Sequence, residues 1–251
     1  MCIPRMRFPW RPGMVYGLPM GCEQEIGVSR EGLEQGELRR MIAQSGWGHL
    51  LLSDEQLDRS LAAVRPPDDA CWVFAYGSLL WNPVFTPVEQ RPARLTGHHR
   101  RFCFWIHAGR ASAQVPGLMM GLMPGGSCRG LVLRIAADQA QSELALLWRR
   151  EMVTGAYVPR LLPLSTPQGA VRALTFTANP RHPTFAGALP PARVAATLAA
   201  ASGPLGSNRD YLHRTAATLR RLGIPDRGLE RLEQELTATD AAAMVRPVIG
   251  E

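Results

Sequence analysis

Apolar positions along this chain fall into segments of two different periods. Cys71-Trp72-Val73-Phe74-Ala75-Tyr76 is an unbroken apolar, aromatic and β-branched run that stops at Gly77, the pattern of a strand buried on both faces. Shorter runs at Arg101 to Ile106, Leu118 to Met123 and Arg129 to Ile135 predict further strands, the last two joined through Pro124-Gly125-Gly126-Ser127 as a hairpin turn. Tyr157 to Leu164 and Ala170 to Thr177 predict a second hairpin across Thr166-Pro167-Gln168-Gly169.

Helical spacing holds elsewhere. Leu33 to Ala43 and Asp54 to Val64 predict helices, the second opened by Ser53 as N-cap with Gln56 as its capping-box partner. A helix from Asp138, as N-cap, to about Val153 is closed by Gly155. Pro191 to Ala201, Arg209 to Leu222 and Asp226 to Leu236 complete the set. Strands lead and helices mostly follow, which predicts an α+β fold. Residues 1–30, rich in Pro, Gly and Met without periodicity, read as a poorly ordered extension, 31–70 as a helical segment ending in the stiff linker Arg65-Pro66-Pro67-Asp68-Asp69, 71–240 as the main domain and 241–251 as a tail.

Composition removes several chemistries. All 28 basic residues are arginine, so a phosphate loop ending in Gly-Lys-Ser/Thr, a Schiff-base lysine and a lysine base are excluded. The charge is uneven: residues 71–251 hold 20 Arg against 11 acidic residues, while residues 1–70 hold 8 against 10. That balance admits an anionic partner, or reflects a coding bias with arginines scattered on the surface. The Arg-Arg pairs lie in unrelated segments and no nucleic-acid module is recognisable, so no nucleic-acid partner is expected. Cys2, Cys22, Cys71, Cys103 and Cys128 are odd in number and never in a C-x-x-C pair, and His98 and His99 point to opposite faces of any strand. Neither a disulfide framework nor a metal is expected. No apolar stretch reaches membrane-spanning length and prolines break the opening residues, so the expectation is a cytoplasmic protein without membrane attachment.

Two places carry candidate chemistry. Steps of three and four put Ala140, Leu144, Leu147, Trp148 and Glu151 on one helix face, so a glutamate closes an apolar stripe. Arg149 and Arg150 are rotated from it by about 200° and 100° and are not its assumed partners. A carboxylate aimed at the core near a helix C-terminus has its pKa raised, which is how a general base is poised; the alternatives are a side chain frayed outward or paired with a core arginine. The second place is Tyr76-Gly77-Ser78-Leu79, where a strand breaks into a turn able to aim backbone N–H groups at a carboxylate.

Trp72 to Pro83, His99-Arg100-Arg101-Phe102, Trp148 to Tyr157, Asn179-Pro180-Arg181-His182-Pro183 and Ala201 to Asn208 with Tyr211-Leu212 together resemble one family, the ChaC-like, glutathione-specific γ-glutamylcyclotransferases. The resemblance runs from about Trp72 to about Leu236. It implies a γ-glutamylcyclotransferase-like small mixed β-barrel flanked by helices and conversion of glutathione to 5-oxoproline and cysteinylglycine with no cofactor. By the same match Glu151 is the catalytic acid/base, and Ala75, Tyr76, Gly77, Ser78, Leu79 and Leu80 cradle the γ-glutamyl group, with Tyr157 and Tyr211 near the pocket. Ala75 departs from the glycine of many members and narrows the loop by one methyl. The competing readings are a same-fold enzyme acting on other γ-glutamyl amino acids or amines, and a catalytically silent regulator that binds a small acidic metabolite; the presence of Glu151 counts against the second. Ser78 reads as a binding or turn residue, since it lacks the following glycine and the nearby histidine of a nucleophile.

Overall fold

The structure, a computed structural model, describes residues 27–64 and 71–245. The expected extension up to residue 26 and the linker at 65–70 lie outside the described residues.

Strand β1 (Trp72–Ala75) shows why its sequence is apolar throughout. Trp72, Phe74 and Tyr76 face Leu95, Leu122, Val132 and Leu164 in a core that fills the barrel. Val73 and Ala75 face the other way, into a larger core shared with Leu131, Leu133, Leu147 and Trp148. Both faces of the strand are therefore dry, and alternation of polar residues would have no water to meet.

Five strands close the barrel in the order β1-β3-β2-β4-β5, with β2 at Glu89–Ile106, β3 at Gly117–Arg134, β4 at Tyr157–Thr166 and β5 at Gly169–Ala178. β1 runs antiparallel to β3, with Trp72 opposite Arg134, and parallel to β5, with Trp72 opposite Ala173. The sheet is thus mixed, as the resemblance implied. The β4–β5 hairpin falls where the sequence puts it.

Pro124 to Ser127 is not a hairpin turn. β3 continues through it as one strand paired along β2, where Thr96 lies opposite Ser127 and His98 opposite Pro124. Gly125 and Gly126, at φ 97° and 67°, sit against the single Gly97. This is a β-bulge, which uses the same left-handed glycine that a turn would use. β2 in turn starts twelve residues before the predicted Arg101, because its first half pairs with the far arm of β3.

Helices α1 (Arg30–Glu34) and α2 (Glu37–Ile42) replace the single helix expected from Leu33, because Gly36 takes a left-handed φ of 74° between them. Helix α3 (Asp54–Ala62) carries both halves of the Ser53–Gln56 capping box. Helix α4 (Ala140–Glu151) begins after a 3-10 turn over Ala137–Gln139, so Asp138 lies inside that turn and is not the N-cap. Helices α5 (Pro191–Ala200) and α6 (Asn208–Arg221) follow, separated by the two-stranded ribbon β6 (Ser202–Gly203) and β7 (Gly206–Ser207). Helix α7 (Arg227–Val245) runs beyond the predicted end at Leu236. Among the described residues no helix is long and apolar enough to cross a membrane, and no group of His, Cys, Asp and Glu is arranged to hold a metal. Cys71, Cys103 and Cys128 are buried as thiols.

Candidate active site

One cavity collects residues from the end of β1, the loop after β2, the end of α4, the start of β4 and helix α6; Ser78, Arg110, Arg150, Glu151, Tyr157 and Tyr211 all line it. β1 ends at Ala75 because the chain then winds into a 3-10 turn over Ser78–Leu80, in which the amides of Leu80 and Asn82 are taken by Gly77 O (3.0 Å) and Ser78 O (2.8 Å). Gly77 has φ −128°, so its glycine is not required by a left-handed backbone. The requirement is space: a Cβ at Gly77 would lie 2.9 Å from the Tyr211 hydroxyl. Of the six loop residues singled out in the sequence, Ser78 reaches the cavity, while Ala75, Tyr76, Leu79 and Leu80 are buried in the cores behind it. Tyr76 donates to Phe176 O at 2.8 Å.

Glu151 is the last residue of α4, and its side chain is 12% exposed. It does not fray. Burial raises its pKa, and the Arg150 guanidinium, with Nε 3.1 Å from Oε1, pulls in the opposite direction. The neighbour that a helical wheel rotates away is thus its ion-pair partner. Arg150 also donates from Nη2 to Ser78 Oγ at 2.8 Å and from Nη1 to Asn82 O at 2.6 Å, tying the carboxylate to the loop after β1. A guanidinium has donors enough for all three in a fixed fork.

The tyrosines are positioned by opposite means. Tyr157, first in β4, donates to Met120 O at 2.6 Å, and burial pushes its pKa well above the ordinary value. Tyr211 of α6 stands edge-on to Trp81 and Phe102, at 6.2 and 5.8 Å between ring centroids. Burial and the Glu151 charge push its hydroxyl up to about 12, against Arg110, Arg150 and a hydrogen bond from the Ser78 backbone. Both phenols are therefore neutral at physiological pH.

Arg110 lies over the Trp81 and Tyr211 rings, at 5.5 and 6.0 Å from their centroids, and donates to Ser207 O at 3.1 Å. Its loop has no periodicity, and sequence reasoning passed it over. The Ala201 to Asn208 motif places it: Gly203 packs so closely on Gly109 O and the Ala111 backbone that a Cβ has no room, and Leu205 N donates to Gly109 O at 2.9 Å. Asn208, fully buried, brackets Leu118 with bonds to both its N–H (2.6 Å) and its C=O (2.9 Å), fixing α6 on β3. The Asn179 to Pro183 motif acts on the other side, where His182 Nε2 meets Thr154 O at 3.0 Å and holds the segment that follows Glu151.

This arrangement offers one proton-accepting carboxylate of raised pKa beside two buried guanidiniums. It suits proton transfer on a small substrate that carries carboxylates of its own.

The profile of the family described as ChaC-like protein matches residues 71–239. The chain belongs to the ChaC-like family. The chain is similar to the glutathione-specific gamma-glutamylcyclotransferase of Escherichia coli (strain K12), at 42% identity over 187 residues, covering 73% of this chain and 81% of that one. It is 30% identical over 185 residues to the glutathione-specific gamma-glutamylcyclotransferase 1 of Danio rerio, covering 71% and 92%. The crystal structure of a yeast γ-glutamyl cyclotransferase specific to glutathione superimposes with a TM-score of 0.63 at 20% identity, over 68% of this chain and 96% of that one, and so shares the ChaC-like fold.

Proposed function

We propose that this protein is a γ-glutamylcyclotransferase that cleaves glutathione to 5-oxoproline and cysteinylglycine, with Glu151 as the general acid and base. The observation that carries the reading is the Glu151 carboxylate, withdrawn from water, raised in pKa and held by Arg150 at the loop after β1. Membership of the ChaC-like family and relatives named for this activity support the substrate.

The chemistry is internal to the substrate. Its α-amine, protonated at neutral pH, attacks its own γ-carbonyl carbon once a proton has been removed. A new C–N bond closes the five-membered ring, and the bond to the cysteinyl nitrogen breaks. Glu151 takes the proton from the attacking amine and returns it to the departing one, so no proton, electron or water is consumed. A positioned acid/base of this kind contributes about 10² to 10⁴ in rate. Because nucleophile and electrophile share one molecule, folding the γ-glutamyl group against the loop supplies much of the remainder. Arg150 and Arg110 offer the substrate's carboxylates opposite charge, and Ser78 Oγ, already accepting from Arg150, serves binding rather than attack. The reading includes a cytoplasmic location, in keeping with buried thiols at Cys71, Cys103 and Cys128.

Incubation of the purified protein with glutathione tests it. The expected result is stoichiometric 5-oxoproline and cysteinylglycine, with slower or no release of 5-oxoproline from γ-glutamyl amino acids; intact glutathione after prolonged incubation refutes it.

A further inference from the structure

Residues 27–52 precede the part of the chain that the family profile matches, yet they form one wall of the cavity. The segment enters beside the loop after β1, where Asn82 Nδ2 donates to Val28 O at 3.0 Å. Arg30 then anchors it, donating to the Glu143 carboxylate of α4 at 2.7 Å and to Val84 O at 3.3 Å. It leaves past Glu151, where Leu52 N donates to Val153 O at 3.0 Å and Arg39 secures Leu52 O at 2.8 Å. Between these fixed ends Ile42, Trp47 and Leu50 face the cavity.

Trp47 closes the wall by stacking on His107, with ring centroids 4.0 Å apart and planes 10° from parallel. His107 comes from the same loop as Arg110. Burial holds its imidazole below the ordinary pKa. The ring pair is therefore uncharged at neutral pH, and it lines the same cavity as the charged end formed by Glu151, Arg150 and Arg110.

Every γ-glutamyl substrate presents the same γ-glutamyl group to that charged end. Substrates differ only in the amine that departs, so discrimination among them has to come from surfaces away from Glu151. The geometry points to the Trp47–His107 pair as the specificity-determining wall for the departing amine, one that favours a cysteinyl peptide over a single amino acid. A flat, uncharged pair of stacked rings gives such a leaving group area to pack on and a partner for its sulfur. This inference rests on the function proposed above.

The test is steady-state kinetics of the full chain on glutathione and on γ-glutamylalanine. Trp47→Ala is expected to raise KM for glutathione about tenfold with kcat within about threefold, and to narrow the preference for glutathione over γ-glutamylalanine. Trp47→Phe keeps a ring on His107 and is expected to stay within about twofold of the parent. His107→Ala removes the other ring and should reproduce Trp47→Ala, with the double variant no worse than either single one; it carries the test should Trp47→Ala fail to fold. An unchanged KM in Trp47→Ala and His107→Ala, or a loss carried by kcat, overturns the inference. A parent protein that leaves glutathione intact refutes the proposed function instead, and the inference with it.

Discussion

Phe74 and Glu151 are both withdrawn from water, Phe74 completely and the Glu151 side chain to 12% exposure, but their surroundings are built from opposite materials. Around Phe74 the barrel is filled by Trp72, Leu122, Val132 and Leu164, groups that ask nothing of their neighbours but shape. Around Glu151 the cavity holds Arg150, Arg110 and Tyr211, and burial lowers the pKa of the Arg110 guanidinium and raises that of the Tyr211 phenol. The barrel spends its sequence on stability, whereas the cavity keeps charge where water would otherwise level it. Changes in the first region should therefore move melting temperature, and changes in the second should move rate and pH dependence.

The largest expected effect comes from Gly77→Val. Its side chain would press on the Tyr211 hydroxyl, whose ring is held between Trp81 and Phe102, and activity should fall close to background while the protein remains soluble. Near-normal kcat/KM for glutathione would mean that this loop is a structural turn only. Phe74→Ala should show the opposite profile, losing about 3 to 5 kcal/mol of stability in denaturant unfolding while the surviving folded enzyme turns over at nearly the parental rate.

Arg150→Met sharpens the comparison further. It removes the fork that joins Glu151 to Ser78 and Asn82, at an expected loss of about 10² in kcat/KM, the equivalent of two charge-assisted hydrogen bonds. It should also move the pH profile. Glu151 must be ionised to accept a proton, so activity falls as pH drops through its pKa, and burial already places that fall above the usual carboxylate range. Arg150 favours the ionised form, and without it the acid limb of kcat/KM should shift to higher pH. An acid limb that stays in place would contradict the assignment. The smallest effect is expected from Ser78→Ala, about tenfold in kcat/KM, since one hydrogen bond to Arg150 is lost and the backbone of the turn is kept.

What the sequence made legible follows the same division. β1 could be read because both of its faces are buried, the β4–β5 hairpin because its turn stands between clean runs, and α3 because Ser53 and Gln56 cap it within four residues. The Pro124 to Ser127 stretch misled because a bulge and a turn call on the same glycines, and only the partner strand, with Gly97 opposite, separates them. Glu151 was legible as the polar residue closing an apolar stripe, and the family resemblance gave it a role. Arg150 was not, since a wheel of Cα positions ignores how far a guanidinium reaches and which loop folds back to meet it. Arg110 and Trp47 carry no local signal at all: one is placed by the ribbon at Gly203, the other by docking of a segment distant in sequence.

Substitution of Glu151 by glutamine tests the central claim most directly, because the amide fills the same volume and cannot take the proton. With thermal unfolding monitored in parallel, Glu151→Gln is predicted to melt at or somewhat below the parental temperature, since the amide oxygen can still accept from Arg150 but the guanidinium loses its counter-charge, while kcat for 5-oxoproline release from glutathione falls by about 10² to 10⁴. A glutamine variant that melts like the parent and keeps kcat within about tenfold of it would contradict the account of Glu151 as the acid and base.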